Sequence, residues 1–340
     1  MNVYATKTIQ LIRRGLQNNP NFILDTFFPN RETVQDEEIL LEIELAGNQM
    51  APFVSPIENG RIMIEKGYQS NLIMAPSLAP KHVITPKDMF KRNAGDNITG
   101  GESPASRQSK NAGRILAKQE LYIKNREEYM AGQFLTLGKI KSAEGDHQYE
   151  LNYQMPHIHT LVAGEKWNEA NVNPLDTIDK FVDECEESGT ACENIIMGSL
   201  AAKHFNNSEV LNKQLDIRNK QFMTVELQKK YPGIVYMGFY EARQVHLYAY
   251  NRSVMDSKGV KKAIIPPNMI VGGPSGGTIL YAPVVYHKNE ESSSIHEEIR
   301  YSSVQISESG KEKTIVTESR PVFKPLDLSS YFSAIVCDEE

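Results

Sequence analysis

Along the first twenty residues, apolar positions recur at helical spacing at Ile9, Ile12 and Leu16, until the Asn18-Asn19-Pro20 cluster breaks the pattern. A short amphipathic helix is therefore expected over Ala5 to Gln17. The next stretch, "NFILDTFFPN", crowds Phe22, Ile23, Leu24, Phe27 and Phe28 together. Such a cluster either caps the chain's own core, the reading the residues slightly favour, or forms an arm that a neighbouring subunit must bury. From Ile39 to Pro86 the texture changes. Pro52, Pro56, Pro76, Pro80 and Pro86 exclude a long helix, and β-branched residues alternate with polar ones between them. Arg61 to Glu65 and Asn71 to Met74 read as strands, with turn signals at Asn59-Gly60 and Lys66-Gly67. An extended hairpin is expected there. Few of its residues form a stripe that could bury it against its own domain, so it is expected to project.

After the polar, glycine-rich "NAGDNITGGESPASRQ", Ser103-Pro104 reads as an N-cap with proline at the first helical position. No proline follows until Pro156. Leu116, Ile123, Met130, Phe134 and Leu137 mark one helical face, with Lys118, Gln119, Lys124, Arg126 and Glu127 opposite. One long helix from about Pro104 to about Gly138 is expected, roughly 50 Å long at 1.5 Å per residue, acting as a strut. Beyond it, "HQYELNYQM" alternates as a strand, "NPLDTIDKFVDECEES" opens a helix, and "NIIMG" is a short buried strand. "SLAAKHFNNSEVLNKQL" reads as helical, "GIVYMGFYEARQVHLYAYN" and "NMIVGG…TILYAPVVY" as strands, and "KTIVTE" as a strand within the serine-rich stretch from Asn289 to Arg320. The pattern is α+β with mixed sheets.

Composition narrows the function classes. The chain has 340 residues and a formal net charge of -6, which argues against a surface dedicated to gripping nucleic acid. The basic pairs Arg13-Arg14, Lys91-Arg92 and Lys261-Lys262 are scattered and read as solvated surface. Three cysteines, Cys185, Cys192 and Cys337, contain no C-x-x-C pair, so neither a disulfide framework nor a zinc-finger spacing is indicated and a reducing compartment fits. No signal-peptide h-region or apolar run of membrane length is present, so a protein without membrane association is expected.

The sharpest chemical candidate is Gly273-Pro274-Ser275-Gly276-Gly277, which spells the G-x-S-x-G of a hydrolase nucleophile elbow. An active elbow places its serine between a strand and a helix. Here Thr278 to Tyr286 is β-branched and aromatic with Pro283 inside it, so no helix is expected, and only His287 and His296 follow, in what reads as a polar loop. A phosphate loop fares no better, because no lysine stands after Gly277. His157 and His159 form an H-x-H pair that would share one strand face, without a third metal ligand at a convincing spacing. No catalytic residue, cofactor site or metal site is assigned from the sequence.

The order of elements resembles the Hong Kong 97 capsid fold of tailed-phage shells, and more closely the lambda-type capsid protein E family. "NPNFILDTFFP" is similar to that family's arm, "MAPFVSPIENGRIM" to the start of its extended loop and "APKHVITPKDMFKR" to the return strand. "EKWNEANVNPLDTID", "YMGFYEARQVHLYAYN…KGVKKAIIPPNMIVGG" and "RPVFKPLDLSSYFSAIV" resemble its later landmarks, in order from about Leu11 to Val336. The loop after Gly272 and the stretch after His287 depart from the pattern. The resemblance implies an N-terminal arm over 1–48, an extended loop over 49–100, a peripheral domain over 101–176, an axial domain over 177–294 and C-terminal return strands over 295–340. It implies a major capsid protein without catalytic residues or cofactors, forming hexamers and pentamers of an icosahedral head around double-stranded DNA. The expected location is the virion, after assembly in the host cytoplasm. Expected partners are further copies of the chain, a separate scaffolding protein (no fused segment precedes Val3-Tyr4), a portal protein and an optional decoration protein. Candidate intersubunit contacts are Phe22, Phe27, Phe28, Ile62, Ile64, Leu72 and Ile73. A serine hydrolase using Ser275, or a non-viral compartment shell of the same fold, are the alternatives.

Overall fold

The computed structural model describes residues 6–15, 20–44, 68–85, 104–144, 147–169, 172–187, 189–208, 215–216, 220–256, 258–289, 292–306 and 312–338. Its axis is one helix, Pro104–Leu137, of 34 residues, about 51 Å long at 1.5 Å per residue. Leu116, Ile123, Met130 and Phe134 of the expected stripe are buried. Gly138 ends the helix: its φ of +61° is the left-handed conformation that glycine adopts without strain, and its N–H donates to the Phe134 carbonyl at 2.9 Å.

The polar side of this spine departs from expectation. Gln119, Lys124 and Glu127 are buried, as is Glu128. The reason is topological: the N-terminal segment, the hairpin base and the strands after residue 300 all fold onto that side and bring polar partners with them.

A seven-stranded mixed sheet lies across the C-terminal half of the spine, in the order His157–Thr160, Phe332–Ile335, Met269–Gly273, Asn194–Met197, Val245–Tyr250, Ile234–Tyr240, Leu215–Asp216. Side chains alternate between its two faces with the period of two that a strand imposes. Ile195, Met197, Leu247, Ile270, Phe332 and Ala334 join one core cluster with the helices Pro174–Glu186 and Ser199–Asn207. Ile196, Tyr248, Tyr250 and Val271 join the other with the spine residues Met130, Phe134 and Leu135. Both faces are covered, which is why Ile195, Ile196, Met197 and "MIVGG" are apolar throughout rather than alternating. Asn173 starts the first of these helices: its Oδ1 accepts from the Leu175 N–H at 3.2 Å, and Pro174 holds the first helical position. The strand Phe332–Ile335 pairs on one side with His157–Thr160 and on the other with Met269–Gly273, so the C-terminal segment joins the expected peripheral and axial segments.

The N-terminal segment is integrated into the subunit. The helix Thr6–Arg14 buries Ile9 against Ala112, Ile115 and Ile315. The helix Phe22–Phe27 inserts into the main core, and Phe22, Phe27 and Phe28 are 3%, 0% and 0% exposed. These three were candidates either for the chain's own core or for contact with neighbouring subunits, and in this structure their rings are filled contacts of this chain. Phe22 meets Tyr231 and Tyr248 edge-on, and Phe28 meets Phe134 and Phe323 edge-on.

The hairpin also differs in its pairing. Tyr68–Met74 runs antiparallel to Glu38–Glu44, from Glu38 opposite Met74 to Glu44 opposite Tyr68. The first strand thus begins before residue 49. Ile73 is buried with Ile39 in the main core, so this end of the hairpin is anchored on its own subunit. Leu72 lies on the same strand, opposite Leu40. Ile62 and Ile64 lie outside the described residues. The return strand Lys81–Ile84 pairs with Lys313–Glu318, which pairs in turn with Tyr301–Ile306. His287 and His296, expected in a loop, stand instead on the paired strands Val284–Asn289 and Ser292–His296, where alternating Val284, Tyr286 and Ile295 supply strand-forming residues.

Candidate functional site

Ser275 sits in the short connection between the strands Met269–Gly273 and Thr278–Tyr281. No helix follows it. Its hydroxyl donates to the Thr26 carbonyl at 2.7 Å and accepts from the Asn194 amide at 3.3 Å, and its N–H donates to the Glu193 carboxylate at 3.3 Å. A serine nucleophile must give its proton to a general base. This one gives it to a backbone carbonyl.

The surrounding glycines have packing reasons. A Cβ on Gly272 would lie 2.2 Å from the Phe332 ring, and one on Gly277 would lie 2.6 Å from the Phe28 ring and 2.8 Å from the Phe27 carbonyl oxygen. The Gly277 N–H donates to that same carbonyl at 2.9 Å. This connection is a clasp that holds the helix Phe22–Phe27 against the sheet.

The buried side of the spine makes a second clasp. The Glu128 carboxylate accepts from the N–H groups of Ile23 and Leu24 at 3.0 and 3.2 Å, satisfying orphan donors at the start of the Phe22–Phe27 helix. Tyr250 donates its hydroxyl to the same carboxylate at 3.0 Å. Burial pushes the Glu128 pKa up, and the three hydrogen bonds oppose that rise. The Asn21 amide donates to the Lys124 carbonyl at 2.9 Å. Further along, Arg300 pairs with Glu127 at 2.6 Å, both buried. Gln119 donates to the Pro80 and Ile315 carbonyls at 3.1 and 2.8 Å, while Thr317 donates to its Oε1 at 2.8 Å. The spine therefore binds four distant segments through matched polar groups. A buried charge pair left half-made costs several kcal/mol, so these contacts set the register of the segments on the spine.

The exposed apolar surface lies beside this clasp. Met255 is 76% exposed and Tyr122 59%. They border a cleft of about 580 Å³ lined also by Leu78, Ile123, Tyr129 and Val254. Sequence reasoning missed this surface, because its residues come from the hairpin base, the spine and the strand Ser253–Met255, which no local pattern connects. His157 and His159 stand on one face of the sheet's edge strand, as the H-x-H spacing requires.

Comparison with known proteins gives the chain its family. Residues 8–336 match the model of the phage major capsid protein E family. The chain belongs to that family. Over 256 residues, 74% of each chain, it is 22% identical to a P21 prophage-derived major head protein of Escherichia coli O6:H1 and to the major capsid protein of Enterobacteria phage P21. Over 278 residues, 80% of this chain and 81% of the other, it is 21% identical to the major capsid protein of Escherichia phage lambda. Among solved structures, it superposes with a TM-score of 0.74 and 19% identity on a protein of E. coli CFT073 described as a prophage capsid protein. That match covers 98% of this chain and 99% of the other. A phage-related protein of Bordetella bronchiseptica gives a TM-score of 0.51 at 9% identity, covering 97% of both chains. The fold is the Hong Kong 97-like capsid fold.

Within a capsid subunit of this family the seven proposed contact residues divide. Phe22, Phe27, Phe28 and Ile73 are interior residues of the subunit. Leu72 is placed by its backbone on the hairpin. Residues 45–67, which contain Ile62 and Ile64, lie outside the described residues.

Proposed function

We propose that this protein is the major capsid protein of a tailed double-stranded DNA phage, self-assembling into the wall of the head. The observation that carries this reading is the family match from residue 8 to 336, on a subunit with a 34-residue spine helix and a hairpin rooted at its base. Hexamers and pentamers closing an icosahedral shell are the arrangement we assign to it, with a separate scaffolding protein and a portal as partners and a decoration protein as an optional one. The apolar cleft around Tyr122 and Met255 is a surface we assign to neighbouring copies, since a monomer gains nothing by exposing it, and residues 45–67, outside the described residues, are assigned to the same role. The net charge of -6 suits a wall that encloses DNA without gripping its sequence.

Ser275 has a structural role in this reading. Ser275→Ala removes one donated and one accepted hydrogen bond, a cost of about 1–2 kcal/mol, and leaves assembly intact. Labelling of the wild type by a serine-reactive fluorophosphonate, lost in that variant, contradicts the structural role. The test of the main reading is sedimentation velocity of the protein co-expressed with a scaffolding partner. Fast-sedimenting closed particles support it, and a lone monomer at high concentration with every scaffolding partner tried overturns it.

A further inference from the structure

Three potential metal-ligand side chains converge at the edge of the seven-stranded sheet. His157 and His159 project from one face of the strand His157–Thr160, and Glu184 reaches them from the last turn of the helix Pro174–Glu186. One ligand atom from each lies within 4.8 Å of the other two. The Glu184 Oε2 is 2.9 Å from His159 Nε2 and 3.8 Å from His157 Nδ1. His159 Nε2 and Glu184 Oε2 stand at ion-pair distance but outside hydrogen-bond geometry, and both atoms are shielded from solvent with no other hydrogen-bond partner. Shielded polar atoms without partners are costly. Something that accepts electron pairs from both would remove that cost.

The rings are held for such a role. Phe181, on the same helix as Glu184, stacks on His159 at 4.9 Å, and His159 lies in turn near-parallel to His157 at 6.2 Å. The helix is fixed by Leu175, Ile178, Phe181 and Val182, all buried in the sheet's second core, so Glu184 is presented from a rigid element. Side-chain exposures of 23%, 32% and 27% for His157, His159 and Glu184 leave the group reachable from solvent. We propose that His157, His159 and Glu184 form a binding site for a divalent transition-metal ion, with zinc the best match. Two imidazole nitrogens and one carboxylate oxygen are a donor set that zinc accepts at about 2.0–2.2 Å, with water at a fourth, open position. A tetrahedral ion with such bonds sets its ligand atoms roughly 3.4 Å apart. The 2.9 and 3.8 Å separations bracket that distance, and the third, between the two imidazole nitrogens, is no more than 4.8 Å. Hard cations such as magnesium and calcium prefer all-oxygen sites and are excluded by the two imidazoles. When bound, the ion ties the edge strand of the sheet to the helix that covers it, and stabilises the subunit by mass action.

The test is isothermal titration of zinc chloride into tag-free subunit, stripped with chelator and dialysed, because a histidine tag would mask the signal. One ion per subunit is expected. His159→Ala and Glu184→Gln are each expected to weaken binding by about tenfold or more, while His246→Ala, on a strand elsewhere in the sheet, leaves it unchanged. At about a hundredfold excess over Kd, zinc raises the wild-type melting temperature by about 4 °C and leaves that of the His157→Ala/His159→Ala double variant unmoved. Cobalt(II) added to the wild type gives the visible bands of a four-coordinate ion, displaced by zinc and not by magnesium. Wild-type affinity no better than that of the double variant, or no cobalt bands from the wild type, overturns the site. Because the cobalt readout needs no variant, it stands even if a substitution impairs folding. The site and the shell-forming function fail or succeed independently.

Discussion

Phe28→Ala separates a residue that holds the subunit together from one that holds subunits to each other. Phe28 is fully buried, with Phe134 of the spine 5.7 Å and Phe323 5.1 Å away, both edge-on. The main-chain clasp at Gly277 approaches so closely that even a Cβ there would fall 2.6 Å from the Phe28 ring. The spine, the strand Pro321–Lys324 that carries Phe323 and the Gly277 clasp surround one ring, which resists collapse of the site when the ring is removed. Truncating a phenylalanine in such a place costs about 3–5 kcal/mol, of which the two aromatic pairs contribute about 0.5–1.5 kcal/mol each. With an unfolding entropy of about 2.1 cal/mol/K per residue, that corresponds to a fall of roughly 4–7 °C in the melting temperature. The assay is calorimetry and urea unfolding of the unassembled subunit, beside Met255→Ala, whose side chain is 76% exposed and whose loss changes subunit stability by less than about 0.5 kcal/mol. A Phe28→Ala subunit that unfolds at the wild-type temperature and fails only in shell formation refutes the packing argument and restores Phe28 as an intersubunit contact.

Four further outcomes are expected. Gly272→Ala pushes a methyl group to 2.2 Å from the Phe332 ring in a central strand pair and is expected to cost at least about 1–3 kcal/mol. In contrast, Gly113→Ala meets only the Ile12 side chain at 3.8 Å and stabilises the spine by about 0.5–1 kcal/mol, both read by urea unfolding. Cys185, Cys192 and Cys337 are buried and form no disulfide with one another, and burial raises the thiol pKa of the first two, Cys192 to about 12. These two stay protonated and shielded at pH 8, so a disulfide-exchange reagent is expected to titrate neither in the folded subunit and both in urea; rapid labelling of the native protein contradicts this. Replacing residues 45–67 with a short Gly-Ser linker keeps Ile39 and Ile73 in place, so the subunit melts normally while closed shells disappear; normal shells would exclude that stretch as an intersubunit contact.

Much of the fold was legible because long periodic patterns report on burial wherever packing is local. The sequence pattern spans about Pro104 to Gly138 and the helix runs Pro104–Leu137, since one stripe and two strong end signals define it. The strands Asn194–Met197 and Met269–Gly273 were legible as apolar runs flanked by glycine. What was hidden depends on contacts between distant segments. The buried polar side of the spine reads as a solvated face until Glu128 is seen capping a helix more than a hundred positions away. Phe22, Phe27 and Phe28 carry the same apolar signal whether their partner is Phe134 or a neighbouring subunit. Likewise, the H-x-H pair was visible, but Glu184 comes from another element and no spacing rule joins it to His157 and His159. The G-x-S-x-G motif was readable as a bend because the β-branched residues after Gly277 rule out the helix an elbow requires.

The central claim is that this subunit completes its own core with its N-terminal segment and reaches its neighbours through the hairpin. Cryo-electron microscopy of particles from co-expression with a scaffolding protein tests it most directly, at a resolution that traces side chains. The account predicts closed icosahedral shells in which Phe22, Phe27 and Phe28 lie in the core of the subunit that carries them, and residues 45–67 rest on an adjacent copy. Absence of shells, or shells in which the Phe22–Phe28 segment is inserted into a neighbour, would contradict it.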